Sequence, residues 1–328
     1  SVTGFRRVLF RSPGEIRVRL RASSLNFHDF AVVTGMLPAA AGRIPMSDGA
    51  GEVVAVGPGV SDCAPGDLVV STFFTNWNDG TPPATAFTTV PGDGIDGYAR
   101  EEIVAPAGWF TRVPGGYSAA EAATLTCAGL TAWRALFADG SVKPGSTVLV
   151  QGTGGVSIFA LQFAKAAGAR VIATVSGPEK ARVAEAAGAH AVINYREGDV
   201  AAAILAANDG KPVDRIVEVE FGGNLPVTMA VLGEGGAIAA YGSMGDAEPK
   251  LPFYPLMLRH TALRMLLVYL LSPQQRADTV TRLTAALEAG ALQHAIAARF
   301  DLADSVQAHE AVESGQLIGN AAITIPHV

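Results

Sequence analysis

The chain has 328 residues, of which 49% are hydrophobic and 16% are charged, and its formal net charge at pH 7 is -6. This length is sufficient for two domains that each bury a core, and the composition is typical of soluble α/β proteins rather than of disordered or fibrous ones. Because acidic residues outnumber basic ones, we do not expect nucleic acid as a partner. The most hydrophobic stretch, residues 256–271, is interrupted by Arg259, His260 and Arg264, so we expect no membrane-spanning helix and no membrane partner.

The cysteine content and the first residues bear on the expected location. Cys63 and Cys127 are the two cysteines of the chain, too few for a disulfide framework or a four-cysteine metal site. Residues 1–12 contain no apolar run followed by a small-residue cleavage site. The sequence therefore predicts a cytoplasmic protein.

The first stretch, from Pro13 to about Tyr117, consists of short apolar runs separated by turns rich in Pro and Gly. The runs are Glu15–Leu20, Gly51–Val56 and Asp67–Thr72. This spacing predicts a mainly β domain with antiparallel strands.

The second stretch alternates between apolar runs and helical patterns, which is typical of a doubly wound parallel sheet. The predicted strands are Thr147–Gln151, Arg170–Val175, Ala191–Asn194, Asp214–Val219 and Ala237–Tyr241. The predicted helices begin near Gly155, Pro178, Gly198 and Asn224. This α/β domain is expected to be inserted into the mainly β domain.

The last stretch predicts helices around Pro273–Ala289 and Leu302–Ser314 and a strand at Ala321–Ile325. It is too small for a separate domain, so we expect it to pack against the first stretch. The expected domain boundaries are therefore 1–118, 119–268 and 269–328, with the third part returning to the first.

A glycine-rich loop is the strongest chemical signal. Gly152, Gly154 and Gly155 follow a buried-strand pattern, and Val156 and Ser157 open the helical pattern behind them. In a βαβ unit such a loop binds a dinucleotide: the first Gly makes the tight turn, the second admits the pyrophosphate, and the small third residue allows close packing of helix on strand. The free N–H groups at the start of the helix then face the anion. The pattern predicts a Rossmann domain that binds NAD or NADP.

The end of the next predicted strand favours NADPH over NADH. An NAD site usually places an acidic residue there to accept the ribose hydroxyls, whereas this chain has Val175. Ser176, Lys180 and Tyr195 are candidates to bind a 2′-phosphate, and Arg196 follows at the same edge. The alternative is that Lys180 and Arg196 are ordinary solvated surface charges.

Together these segments resemble the medium-chain dehydrogenase/reductase superfamily, which includes zinc alcohol dehydrogenases and zinc-free quinone oxidoreductases. The resemblance extends from about Pro13 to Ile325. The matching segments are Ser24–Asp29, Asp48–Val53, Pro65–Asp67, Glu121–Ala132, Val150–Val156, Ala191–Tyr195 and Ile318–Gly319. It implies a GroES-like substrate domain, a Rossmann domain and an active site in the cleft between them.

The positions that bind catalytic zinc in the metal-dependent members hold Asn26, Ser47 and Cys127 in this chain. An amide, a hydroxyl and one thiol make a poor tetrahedral zinc site. Residues 74–96 also lack the four cysteines of the structural zinc loop. We therefore expect no zinc, and we expect Cys127 to be a small buried residue.

Without a metal, the substrate must be polarised by hydrogen bonds and reduced directly by hydride, which suits a conjugated carbonyl. The resemblance places Asn26 near the nicotinamide, where its amide would donate to the substrate oxygen; the alternative is an Asn that holds a turn. His28 is the candidate proton donor, or else a structural histidine. Asp48 lies where the family has an acidic residue beside its metal, and it either takes part in catalysis or anchors its loop.

Further residues match positions around the nicotinamide or the substrate. Thr131, Gly242 and Ser243 match family positions that border the nicotinamide. Several aromatic residues either line an apolar pocket or belong to the core, and the sequence leaves this open: Phe73, Phe74, Trp77, Tyr98, Phe253 and Tyr254.

The sequence thus predicts an NADPH-dependent, zinc-independent oxidoreductase that transfers hydride to a small-molecule carbonyl such as a quinone, an enone or an enoyl group. Two alternatives remain: an alcohol or aldehyde dehydrogenase of the same superfamily, and a non-catalytic NADPH-binding protein. A homodimer is expected, because residues Gly236–Tyr241 have the character of an exposed edge strand with little charge.

Overall fold

The chain divides into two units. The computed structural model describes residues 12–73, 75, 86–113, 115–138, 140, 142–267, 285–286, 288–290, 292 and 296–327. The first unit comprises Ser1–Cys127 and Ile296–Val328, and the second comprises Ala128–Ala295. The division falls at 127 and 295, whereas the expected boundaries were 118 and 268.

The elements, in chain order, are as follows. The strands are β1 (Glu15–Leu25), β2 (Ala50–Val56), β3 (Leu68–Ser71), β4 (Glu102–Pro106), β5 (Phe110–Arg112), β6 (Thr147–Gln151), β7 (Arg170–Val175), β8 (Ala191–Asn194), β9 (Val213–Glu218), β10 (Leu232–Ala240), β11 (Ala262–Met265), β12 (Ile296–Asp301) and β13 (Asn320–Thr324). The helices are α1 (Phe27–Val33), α2 (Ala119–Thr124), α3 (Leu130–Trp133), α4 (Gly155–Ala166), α5 (Pro178–Ala186), α6 (Val200–Ala207), α7 (Phe221–Val231), α8 (Phe253–Leu258) and α9 (Ser305–Glu313).

The first unit is built on a seven-stranded sheet in the order β12-β13-β1-β2-β3-β5, with β4 also paired to β1. All pairs are antiparallel except β12 with β13. Alternation along β1 explains its orientation, since Ile16, Val18 and Leu20 are fully buried on one face. The alternation continues through the exposed Arg21, and from Ala22 to Leu25 every residue is buried, so this end of the strand is covered on both faces. The predicted antiparallel β fold of this stretch is confirmed.

Helix α2 provides that cover, which explains why the first unit extends past the expected boundary at 118. Ala120, Ala122 and Ala123 pack against Ala22 of β1 and against neighbouring strands of the sheet. Ser118 begins the helix with a capping box, in which its side chain accepts from the backbone N–H of Glu121. The helical path then continues through a π-helical segment, Leu125–Gly129, in which the division between the units falls.

The second unit contains a six-stranded parallel sheet in the order β11-β10-β9-β6-β7-β8, which is the doubly wound Rossmann order. Strands β6, β7 and β8 have the predicted bounds, and β9 is displaced by one residue. Every residue of β6 is buried, as expected for a central strand whose two faces are both covered by helices. The predicted fold class, a Rossmann sheet inserted in a mainly β domain, is confirmed.

The prediction that Gly236–Tyr241 forms the sheet edge is wrong. These residues belong largely to β10, which lies between β9 and β11. On this side the described sheet ends at β11, where Ala262 pairs with Ala237 in parallel register. Sequence reasoning missed β11 because it has four residues, one of them Arg264, and therefore no clear strand pattern.

Two helix starts also differ from expectation. Helix α6 begins at Val200 rather than at Gly198, because the Asp199 side chain caps it by accepting from the Ala202 N–H. Helix α7 begins at Phe221, three residues before Asn224. The predicted helix at 273–289 lies largely outside the described residues. Within the residues that the structure describes, no helix is long and apolar enough to cross a membrane.

Candidate functional site

The glycine loop of the second unit has the backbone geometry that a dinucleotide requires. Strand β6 ends at Gln151, and Gly152 follows with φ +78°, a left-handed conformation that favours glycine. Gly154 precedes α4 in extended conformation, and a Cβ placed on it would meet no atom within 4 Å. The space in front of α4 is therefore open. The N–H groups of Gly155 and Val156, which have no partner within the helix, lie at the positive end of the α4 dipole and border this space.

Ser157 fixes the start of α4 to the sheet. Its hydroxyl lies 2.8 Å from the Gln151 carbonyl oxygen, to which it donates, and 3.2 Å from the Tyr241 hydroxyl. Ser157 is buried, in agreement with the expected role of a small residue at this contact. A dinucleotide therefore fits the residues present, because the loop leaves open space at a helix start where a pyrophosphate could accept from the backbone N–H groups.

The predicted 2′-phosphate residues lie around the ends of β7 and β8. The side chain of Val175 is 1% exposed and offers no polar group. Ser176 follows it directly, and the Tyr195 backbone N–H donates to the Val175 carbonyl oxygen at 2.9 Å, so Ser176 and Tyr195 share one edge of the sheet. Lys180 lies in the first turn of α5, and the Tyr195 side chain is exposed.

A second loop follows β10. A Cβ on Gly242 would lie 2.4 Å from the Val219 carbonyl oxygen, so the close approach of the two segments requires glycine. The Ser243 hydroxyl accepts from the Gly222 N–H at 2.9 Å, which joins this loop to the start of α7. A cavity of about 490 Å³ adjoins it, and its wall includes Tyr241, Gly242, Ser243, Leu251, Met265 and Leu266. Thr131, the remaining predicted residue, is buried in α3, which packs against α4.

In the first unit, Asp29 organises a buried polar cluster after β1. Its carboxylate accepts from the Asn26 backbone N–H at 2.8 Å and from the Ser47 backbone N–H at 2.7 Å. Burial opposes ionisation of Asp29, but the neighbouring His28 and these N–H donors outweigh it and lower its pKa below the ordinary value. Asp29 is therefore a carboxylate at neutral pH and holds α1 against the segment that leads into β2.

His28 lies between two carboxylates. Its Nδ1 is 3.5 Å from Asp29 Oδ1, an ion-pair distance rather than a hydrogen bond, and its Nε2 is 3.4 Å from Asp93 Oδ2. The ring also meets Phe73 edge to face at 5.7 Å between centroids. Burial alone would lower the pKa of His28, but the two carboxylates raise it to about 10. The side chain is thus an imidazolium over the whole neutral range.

Asp48 and Asn26 bind each other. Asp48 Oδ2 accepts from the Asn26 side-chain amide at 2.8 Å and from the Ser24 hydroxyl at 2.9 Å. Burial, followed by the charge of Asp29, raises the pKa of Asp48 to about 7. The Asn26 amide also lies 3.2 Å from the Ser24 hydroxyl, so its donors are directed at the protein. Asn26 caps α1 as well, which favours the turn-holding alternative over donation to a substrate.

The donor set at the three zinc-ligand positions does not fit the metal. Burial and the charges of Asp48 and Asp29 raise the pKa of the Cys127 thiol well above its usual value, which opposes the thiolate that zinc requires. The Ser47 hydroxyl is buried, and the Asn26 amide is bonded to Asp48. Across the described part of the chain, no group of three or more His, Cys, Asp or Glu side chains is arranged to hold a metal ion.

Sequence reasoning missed Asp29 and Asp93 as members of this cluster. Asp93 lies in a Pro-Gly-Asp-Gly turn, 65 positions after His28, and no local pattern indicates their contact. Tyr98 is a core residue: it is 1% exposed and packs edge to face on Phe110.

The other aromatic candidates divide between core and surface. Phe73 is buried beside His28, whereas Phe253 and Tyr254 are 67% and 69% exposed and contact each other. Phe74 and Trp77 lie outside the described residues.

Two family models match this chain, one in each unit. Residues 12–115 match the family model of the alcohol dehydrogenase GroES-like domain, and residues 155–286 match that of the zinc-binding dehydrogenases. A zinc-type alcohol dehydrogenase-like protein of Schizosaccharomyces pombe is 42% identical over 236 residues, which cover 70% of this chain and 68% of that protein.

Two solved structures are similar over nearly the whole chain. A candidate alcohol dehydrogenase of Sinorhizobium meliloti 1021 is 36% identical with a TM-score of 0.87, covering 97% of this chain and 92% of that one. The Escherichia coli quinone oxidoreductase complexed with NADPH is 25% identical with a TM-score of 0.78, covering 97% and 94%. With the Rossmann sheet, the glycine loop and the GroES-like unit in place, the chain belongs to the medium-chain dehydrogenase/reductase superfamily and is an NAD(P)H-dependent oxidoreductase.

Proposed function

We propose that this oxidoreductase uses NADPH, works without zinc, and transfers hydride to a conjugated carbonyl such as a quinone, an enone or an enoyl group. The observation that carries the proposal is the 2.8 Å bond between Asn26 and Asp48 at the place where metal-dependent relatives bind zinc. Two groups that satisfy each other, beside a protonated thiol, offer no open metal site. A substrate whose reduction proceeds through a delocalised enolate needs no Lewis acid.

The preference for NADPH rests on the edge formed by β7 and β8. The carboxylate that would accept the ribose hydroxyls of NADH is replaced by the buried Val175 side chain. Ser176, Lys180 and Tyr195 supply a hydroxyl, an ammonium and a phenol for a 2′-phosphate. The Escherichia coli relative was solved as a complex with NADPH, which agrees with this assignment.

The polar cluster of the first unit supplies charge and protons. A bound dinucleotide supplies the hydride. His28 provides a fixed positive charge that stabilises the oxyanion that develops on a reduced carbonyl, and Asp29 holds the imidazolium in place. Asp48, whose pKa is about 7, exchanges a proton near neutral pH and is the better candidate to supply one, because His28 releases its own only near pH 10.

The test is an anaerobic screen of NADPH oxidation over quinones, enones, enoyl thioesters and aldehydes, followed by kinetics on the best acceptor with both cofactors. A charge-assisted contact to the 2′-phosphate contributes about 1.5–3 kcal/mol, so kcat/KM should favour NADPH by about ten- to hundredfold. Lys180→Ala should remove most of this preference and leave the kinetics with NADH nearly unchanged. Equal use of NADH by the unmodified protein would contradict the assignment.

A second candidate is the oxidation of an alcohol or the reduction of an aldehyde. The 42% identity to the zinc-type protein of Schizosaccharomyces pombe favours it. Turnover of simple alcohols with NADP⁺, together with no activity on any quinone or enone, would select this candidate over the first.

The expected homodimer remains part of the proposal, with its contact moved to β11. This strand leaves one side without a partner strand in the described sheet, and large apolar side chains are exposed close by along the chain. Among them, Phe253, Leu258 and Met265 are 67%, 71% and 61% exposed. Such a patch beside a sheet edge suits pairing with a second copy.

A further inference from the structure

Glu218 is a buried acid that the proposed mechanism does not use. It is the last residue of β9, a central strand of the parallel sheet, and it is fully buried. Burial raises its pKa, and the donors around it partly offset this effect. A buried carboxyl group is costly to keep in a sheet, so its contacts indicate what it is for.

The carboxylate holds the start of α7. Its Oε1 accepts from the Glu220 backbone N–H at 2.7 Å and from the Asn224 side-chain amide at 2.9 Å. Its Oε2 accepts from the Thr228 hydroxyl at 3.1 Å. These three donors come from the turn before α7 and from two successive turns of the helix, so a single side chain fixes the position of α7 on the sheet.

Glu218 connects to both cofactor loops, through its side chain on one side and through its backbone carbonyl and the start of α7 on the other. The Asn224 amide also donates to the Gln151 side-chain oxygen, and Gln151 is the residue directly before Gly152. On the other side, the Tyr241 N–H donates to the Glu218 carbonyl oxygen at 3.0 Å, just before Gly242.

The fixed start of α7 continues this second connection. Phe221 donates its N–H to the Gly242 carbonyl oxygen at 3.0 Å, and Gly222 donates to the Ser243 hydroxyl at 2.9 Å. Glu218 therefore lies at the centre of one hydrogen-bond network that reaches the glycine loop after β6 and the loop after β10.

We propose that Glu218 is a positioning residue for the nicotinamide dinucleotide, holding these two loops at the separation that the cofactor requires. The inference rests on the proposed function, because it assumes that NADPH contacts both loops. The Glu218 carboxylate accepts from three donors at or before α7, and one of them, the Asn224 amide, also donates to Gln151. Such directional bonds set the position of α7 relative to β6 more narrowly than apolar packing would.

The test measures the dissociation constant of NADPH by its fluorescence and the kinetics on one acceptor for three variants. Glu218→Gln keeps the volume and removes the charge, and Asn224→Ala removes the bridge to Gln151. Each should raise the dissociation constant about tenfold, the effect of about one charge-assisted hydrogen bond, with kcat at saturating NADPH within about threefold. The double variant should bind NADPH no more weakly than either single variant, because the two residues act through one network.

Asp214→Asn is the matched control. Asp214 lies near the opposite end of the same strand, and its carboxylate accepts from the Thr147 N–H of β6 at 2.7 Å. This bond joins β9 to β6 far from the two loops. Asp214→Asn should therefore lower the melting temperature without changing the affinity for NADPH. Equal weakening by Asp214→Asn and Glu218→Gln, or unchanged affinity in Glu218→Gln and Asn224→Ala, would overturn the positioning role alone. Failure of the unmodified protein to bind NADPH would overturn the proposed function as well.

Discussion

Replacing His28 with Gln tests whether the buried imidazole of the first unit is charged in the folded protein. The neighbouring carboxylates of Asp29 and Asp93 raise its pKa from 6.5 to about 10. Because the folded state binds this proton more tightly than the unfolded state, His28 contributes stability that is complete below pH 6.5. That contribution is lost as the pH rises through about 10. Glutamine keeps hydrogen-bonding groups at this position and cannot carry the charge.

The size of the effect follows from the two pKa values. A pKa that rises from 6.5 to about 10 implies a loss of about 2.5 kcal/mol in the free energy of unfolding between pH 7.5 and 9.5. The window begins at 7.5 because the pKa of Asp48 is also raised, from 3.8 to about 7. The stability that Asp48 contributes at low pH is lost as the pH rises to about 7, so that loss is largely complete before the window begins. His28→Gln should lack the loss, so the two proteins should differ most at pH 7.5 and converge near pH 10.

The assay is urea unfolding followed by circular dichroism at pH 7.5, 8.5 and 9.5 for both proteins. Groups that titrate in both proteins cancel in the difference. Asp93→Asn, which removes one of the two ion pairs, should reduce the pH-dependent loss by about half. Parallel pH curves for the unmodified protein and His28→Gln would refute the charged-imidazole reasoning, and with it the electrostatic role proposed for His28.

Four further outcomes are expected. Purified protein should contain well under one zinc per chain by elemental analysis, and chelators should leave activity unchanged; stoichiometric zinc lost together with activity would contradict this. Gly152→Ala should destabilise the fold by about 1–2 kcal/mol because of its left-handed φ, measured by urea unfolding. Gly154→Ala, where the added methyl meets only open space, should leave stability unchanged and raise the KM for NADPH. Light scattering at micromolar concentration should give a dimer, and Met265→Asp should convert it to monomers; an unmodified protein that is strictly monomeric would contradict the β11 contact.

The cofactor half of the protein could be predicted closely from the sequence because its signals are local. Strand β6 is a run of buried residues that ends against Gly152, and both the strand pattern and the glycine lie within a few positions. The same holds for β7 and β8, each of which ends at its predicted residue. Strand β11 carries no such signal: four residues with one Arg become a strand only because β10 offers a partner.

The polar cluster shows the opposite limit. Asn26, His28 and Asp48 were identified, but their roles depend on partners that the sequence does not place. Whether the Asn26 amide faces a substrate or Asp48 is decided by the packing of β1 against the segment before β2. The charge of His28 depends on Asp93, brought close by the tertiary fold alone. Contacts of this kind arise from the tertiary fold, and they cannot be predicted from the periodicity or composition of the sequence.

The burial of Val175 has a consequence for protein engineering. An acid introduced at this position to favour NADH would replace a residue that is 1% exposed in the core of the sheet. The substitution would lower folding stability before any cofactor binds, and a bound ribose would offset part of that loss through ligand linkage. Selection of variants that use NADH would therefore also select for thermal stability. Variant libraries at Ser176 and Gly177, which are partly exposed, would allow cofactor preference to change without this cost in stability.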